Sequence, residues 1–145
     1  MKMSFEIRPA TVSDLPVAIE LLRKAGLPTE DLTTRQLALV AEGGAGMLAV
    51  IGMEEFGAIG LLRSLLVSPL ARGEGVGRAL VEALEVSAHA RGIAELWLLT
   101  IDADPYFSNL GFSVRNRDVA PAAIRGSKEF SSLCPDNAVL MSKHL

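Results

Sequence analysis

Phe5-Glu6-Ile7-Arg8-Pro9 alternates apolar with polar side chains, which predicts a half-buried strand stopped by proline. Thr11 or Ser13 stands where it can cap a helix in which Leu15, Ala18, Ile19, Leu21 and Leu22 recur at helical spacing until Gly26. Leu27-Pro28-Thr29-Glu30-Asp31-Leu32 breaks that period. Thr33 to Glu42 reads two ways: Leu37, Leu39 and Ala41 alternate like a strand, whereas Gln36, Leu37 and Val40 suit a helix. Gly43-Gly44-Ala45-Gly46 predicts a turn, Met47 to Met53 a strand, and Glu54-Glu55-Phe56-Gly57 a second turn. Ala58 to Val67 follows as a long apolar strand ended by Ser68-Pro69, so two short turns in succession predict an antiparallel meander.

Beyond it, a helix from about Gly77 carries Leu80, Val81, Leu84 and Val86 to a stop at Ala90-Arg91-Gly92. Glu95 to Thr100 is an apolar strand, expected to lie parallel to the Leu61 strand because a helix separates them. Asp104-Pro105 opens a short helix that Leu110-Gly111-Phe112 closes. Phe112 to Arg115 should pair with a final strand, Ala138 to Met141, with Asp118 to Pro135 part helical between them. The fold class expected is mixed α/β with one twisted sheet.

Composition narrows the function classes. A chain of 145 residues, half of them hydrophobic and 21% charged, is expected to form one globular domain. A net charge of -3 argues against a nucleic-acid partner. No apolar run approaches the roughly 18 residues of a membrane span, and the N-terminus lacks a signal-peptide core, so no membrane and a cytoplasmic location are expected. A lone cysteine, Cys134, and two histidines, His89 and His144, give no metal site.

The chemistry concentrates at Arg72-Gly73-Glu74-Gly75-Val76-Gly77, between a strand and a helix. Glycines permit a tight turn and close backbone approach, and the first amides of a helix lack internal partners and bind phosphate. A dinucleotide fingerprint beginning at Gly73 would need glycine at Arg78, and a P-loop would need Lys and Ser or Thr after Gly77. Neither fits. The pattern R-x-x-G-x-G after a strand ending Leu65-Leu66-Val67-Ser68-Pro69 resembles the acetyl-CoA pyrophosphate loop of the GNAT superfamily of N-acetyltransferases. The other reading of these glycines is a plain left-handed turn.

The order of elements also resembles the GNAT fold, and Tyr106-Phe107-Ser108-Asn109-Leu110-Gly111-Phe112 is similar to that family's aromatic pair before Leu-Gly-Phe. The resemblance implies a mostly antiparallel, twisted sheet of six or seven strands, flanked by helices, with a parallel pair at the coenzyme site. It implies acetyl-CoA as co-substrate, bound by Leu65, Leu66, Val67, Arg72, Gly73, Glu74, Gly75, Val76, Gly77, Arg78 and Phe107, and direct acetyl transfer to a small-molecule amine. A homodimer is compatible with it. Leu27-Pro28 with Asp31-Leu32, Leu61 to Leu65, Pro121, Ile124-Arg125, Glu129-Phe130 and Leu133-Cys134-Pro135 resemble the GNAT branch found with arsenic-resistance operons.

Where the family frequently carries an acidic tyrosine, four residues before the glycine of Leu-Gly-Phe, this chain has Phe107, with Tyr106 one residue earlier. Tyr106 is therefore the candidate acid for the departing thiolate, with a packing aromatic as the alternative. No carboxylate lies between Ala58 and Val67, so Glu54, in the expected turn, is the candidate base acting through water, beside Glu55. Arg63 and Ser64 interrupt the apolar strand. Neighbouring strand residues face opposite sides, so both reach one site only if the strand bulges. A bulge or splay is expected there, with Ser64 a catalytic and acceptor-binding candidate. Arg63 then either binds an anionic substrate group or forms a structural ion pair, because a buried guanidinium needs a partner. Asp31 and Arg125 complete the acceptor candidates. Cys134 is expected to be buried packing. Besides an acetyltransferase, a non-catalytic acyl-CoA sensor and an arsenical- or partner-binding protein remain open.

Overall fold

The computed structural model describes residues 4–27, 29, 32–44, 46–127, 130 and 137–145. Its strands are β1 (Glu6–Pro9), β2 (Leu37–Gly43), β3 (Gly46–Phe56), β4 (Ile59–Val67), β5 (Glu95–Thr100), β6 (Ser113–Arg115) and β7 (Val139–His144). The helices are α1 (Leu15–Lys24), α2 (Val76–Ala90), α3 (Asp104–Asn109) and α4 (Ala122–Arg125). The strands form a seven-stranded sheet in the order β1-β2-β3-β4-β5-β7-β6. β4 and β5 run parallel. This is the expected mixed α/β class, and Thr33 to Glu42, readable either way, resolves as a strand from Leu37.

The chain divides into two compact units, residues 1–54 with 63–87 and residues 55–62 with 88–145. In the first, β1 pairs antiparallel with β2, Ile7 opposite Ala41, and β2 pairs antiparallel with β3, Val40 opposite Val50. Ala18 and Leu22, one helical turn apart, bury the inner stripe of α1 against Leu32, Leu37, Val40 and Val50. Gly26, at φ +76°, ends that helix, with the Leu27 amide donating to the Leu22 carbonyl at 3.0 Å.

An ionic network joins β1, the turn before α1 and β2. The Arg8 guanidinium donates to both oxygens of Asp14, at 2.8 and 2.9 Å, and to both oxygens of Glu42, at 3.3 and 3.1 Å. Asp14 is buried, and it also accepts from the Thr11 amide at 2.7 Å and hydroxyl at 3.0 Å. The Arg8 hydrogen bonds, reinforced by those from Thr11, hold the Asp14 carboxyl well below the usual range. Arg8 lowers Glu42 by the same means.

In the second unit β5 runs parallel to the start of β4, Leu61 beside Trp97, while β7 pairs antiparallel with the whole of β5 and carries β6 on its other side. Leu61, Trp97, Ala120, Ile124 and Leu140 form its core, with Phe56, Ile59, Leu99 and Phe130 packed around them. The indole of Trp97 donates to Glu95 at 2.9 Å, which satisfies the one polar atom of a buried aromatic. Among the described residues no helix is long and apolar enough to cross a membrane.

One expected boundary is corrected. Glu54, Glu55 and Phe56 do not form a turn; they continue β3, and only Gly57-Ala58 reverses the chain. Gly57 adopts φ +66°, which lets the reversal be that short.

Candidate coenzyme-binding site

Every residue expected to hold the coenzyme, apart from Phe107, lies in the first unit, on the end of β4, the loop after it and the start of α2. Midway along β4 the backbone departs from strand geometry: Ser64 has φ +58°. A non-glycine residue reaches that left-handed region at a cost of about 1–2 kcal/mol, and one such residue bends a strand locally. The strand is locally distorted at Ser64, and the side chains show the effect. Arg63 Nε donates to Ser64 Oγ at 3.2 Å, so two consecutive side chains meet although a regular strand would separate them.

The Arg63 side chain has 0% exposure, and its Nη1 lies 2.9 Å from Glu54 Oε1. Of the two roles expected for Arg63, the geometry contains the ion pair, and its partner is the glutamate expected to activate water from a turn. Glu54 instead stands in β3 with a side chain only 15% exposed, directed at Arg63.

Past Ser64, Leu65, Leu66 and Val67 are half-buried and finish the strand. The Ser68 amide then donates to the Leu48 carbonyl at 2.7 Å, anchoring the strand end, and a short turn at Pro69–Ala71 leads to the glycines. Gly73 and Gly75 have φ +81° and +78°, and a Cβ built on either would meet nothing within 4 Å. Both glycines are thus required by the backbone, and both border open space. Packing does not fill that space, and a pyrophosphate approaching the main chain would need it. Ala79 donates to the Gly75 carbonyl at 3.1 Å, so α2 winds directly out of the loop, and buried Val76, Leu80, Val81 and Leu84 pin it. Its first amides and positive dipole end face the loop side, a combination that binds anions. Arg72 and Arg78 are exposed there, and Arg78 lies 3.9 Å from Glu82.

Tyr106 and Phe107 belong to α3, in the second unit. Phe107 is buried edge-on between Tyr106 and Phe112, with centroids 5.3 and 5.7 Å away, and Tyr106 is 39% exposed. Arg125 Nε donates to the Ala120 carbonyl at 3.1 Å and Nη2 to that of Asp118, so its guanidinium secures the turn before α4. Asp31 and Cys134 lie outside the described residues. Among the described residues no three His, Cys, Asp or Glu side chains are placed to hold a metal ion. Sequence reasoning missed that Glu54 serves Arg63. The available signal was the lone arginine in an apolar strand and the acid nine residues before it.

A sequence profile described as the acetyltransferase (GNAT) domain matches residues 34–114, from the turn before β2 into β6. The chain belongs to the GNAT acetyltransferase family. Solved structures similar to this GNAT domain include N-acetylglutamate synthase from Neisseria gonorrhoeae, complexed with coenzyme A and N-acetyl-glutamate, at TM-score 0.83 and 20% identity. That match covers 100% of this chain but 36% of the synthase, so the GNAT chain spans about a third of it. The ribosomal-protein-S18-alanine N-acetyltransferase from Escherichia coli matches at TM-score 0.75 and 21% identity, covering 97% of this chain and 94% of that one. The PaiA N-acetyltransferase from Thermoplasma acidophilum, in complex with coenzyme A, matches at 0.72 and 18%, covering 99% and 100%.

Proposed function

We propose that this GNAT domain binds acetyl-CoA at the Arg72–Arg78 loop and transfers the acetyl group directly to the amine of a small molecule. What carries the reading is the pair Gly73 and Gly75, both at positive φ and both beside open space, set between a strand distorted at Ser64 and the first turn of α2. Arg72, Gly73, Glu74, Gly75, Val76, Gly77 and Arg78 supply main-chain amides and positive charge to the diphosphate. The amides of Leu65, Leu66 and Val67, past Ser64, are directed to the pantetheine and polarise the thioester carbonyl. The neutral amine attacks that carbonyl carbon; the C–N bond forms, the C–S bond breaks, the amine loses one proton and the departing thiolate gains one. Tyr106 is the proposed donor of that last proton.

The acceptor's finer identity rests on sequence resemblance. Leu61 to Leu65, Pro121 and Ile124-Arg125 support the branch associated with arsenic-resistance operons, and with it an acceptor or toxic metabolite detoxified by acetylation. A cytoplasmic homodimer belongs to the same reading, checked by sedimentation of the purified protein. The sensor reading keeps one specific support: Phe107 is buried in the place where the family frequently carries an acid.

Titration calorimetry with acetyl-CoA, followed by thiol release against a panel of small amines, tests the proposal. Micromolar binding with amine-dependent release is expected. Binding without release from any amine selects the sensor, and absence of binding overturns the coenzyme assignment.

A further inference from the structure

We infer that Arg63 is a positioning residue for the coenzyme strand: anchored on Glu54, its guanidinium holds Ser64 in the left-handed conformation that aims the amides of Leu65 to Val67. The inference rests on the coenzyme reading above and names what maintains the geometry that reading requires.

Among the described residues Ser64 is the one non-glycine residue at positive φ, and it occupies the middle of a strand rather than a turn. Such a conformation persists only where the surroundings over-determine it. Here one side chain reaches both the strained residue and the neighbouring strand. Arg63 Nε donates to Ser64 Oγ at 3.2 Å while Nη1 meets Glu54 Oε1 at 2.9 Å, so different edges of one rigid plane tie Ser64 to the adjacent strand. Arginine can do this because its donors are fixed in a fork; lysine has a single ammonium at the end of a flexible stem.

Packing prevents the arginine from swinging away. Gly52 of β3 lies so close that a Cβ there would come within 2.7 Å of the Gln36 carbonyl oxygen, 3.3 Å of the Arg63 carbonyl oxygen and 3.4 Å of Arg63 Cγ. The Arg63 stem therefore lies against bare backbone, on the strand that also carries Glu54. Full burial explains why the guanidinium is ion-paired, since an unpaired charge in that setting is strongly unfavourable. A substrate anion would have to compete with Glu54 for a side chain without solvent exposure.

Two substitutions at Ser64 separate conformation from chemistry, because each removes the same hydroxyl and leaves the Arg63–Glu54 pair in place. Glycine takes positive φ without steric cost and alanine does not. Ser64→Gly is expected to bind acetyl-CoA about tenfold more tightly than Ser64→Ala, from the roughly 1–2 kcal/mol of left-handed strain. Arg63→Lys should weaken acetyl-CoA binding by about tenfold or more, and adding Ser64→Gly should recover most of the loss. Equal affinities for Ser64→Ala and Ser64→Gly overturn the inference. So does an Arg63→Lys protein that keeps wild-type coenzyme affinity while losing acceptor affinity, which would make Arg63 a reader of a substrate anion.

Should the wild-type protein bind no acetyl-CoA, the coenzyme reading falls, and the backbone itself decides the clamp. The amide-to-Hα coupling and backbone shifts of Ser64 are expected to leave left-handed values in Arg63→Lys. If they stay unchanged, Arg63 does not hold that conformation.

Discussion

At Gly75 two constraints coincide. The residue takes φ +78°, where any side chain is strained, and a Cβ would project into the open space beside the loop. Gly75→Asp therefore adds about 1–2 kcal/mol of local strain and puts a carboxylate where a phosphate would approach, without colliding with the core. Calorimetry should show acetyl-CoA affinity falling at least about tenfold in a protein whose melting transition remains cooperative; unchanged affinity would remove the loop from the site. The glycine loop was legible because its requirement is local, written in consecutive residues. Arg63 was legible only as a problem, a charge in an apolar strand. Its partner was hidden because Glu54 reaches it across a hairpin whose register depends on a reversal only two residues long, at Gly57-Ala58.

Hydrophobic period located most strands and helices of this protein to within a few residues. Glu54 and Glu55 read as polar punctuation in the sequence, although both are strand residues. Successive positions send them apart: Glu54 pairs with Arg63, and Glu55 pairs with Arg91 just past α2. Thr33 to Glu42 was ambiguous because Val40 and Ala41 are both fully buried, which removes the alternation of a one-sided strand. For α1 the inner stripe was unambiguous, and Leu22→Ala should cost about 3 kcal/mol in denaturant titrations, with the slope unchanged. At α3 the sequence posed a choice that packing partly answers: Phe107 is core and Tyr106 is 39% exposed. If Tyr106 protonates the thiolate, Tyr106→Phe should lower kcat by about a hundredfold and leave the coenzyme dissociation constant unchanged. Full turnover in that variant would exclude Tyr106 as the acid.

At the scale of the whole molecule, the Arg8, Asp14 and Glu42 network is expected to contribute to resistance to acid. Both carboxyls have folded-state pKa values below their ordinary ones, so their contribution is fully present above the unfolded values of about 4. It is lost as pH falls through that value toward the depressed folded ones, because the unfolded chain then binds protons that the native state resists. Asp14→Asn should accordingly lower the melting temperature at pH 7 and flatten its decline below about pH 4. An unaltered acid limb would mean that other carboxylates govern the response. The interleaving of the two units has a further consequence, for synthesis. Phe56, Ile59 and Leu61 leave the ribosome early, yet the core they enter is completed by Leu140 on β7, close to the end of the sequence. Until then that core stays incomplete, and no single cut in the chain separates the two units, because a cut after Ser87 leaves residues 55–62 of the second unit on the fragment that holds the first. A fragment ending at residue 87 should therefore be recovered mainly as aggregate, whereas co-expression with residues 88–145 should return soluble protein.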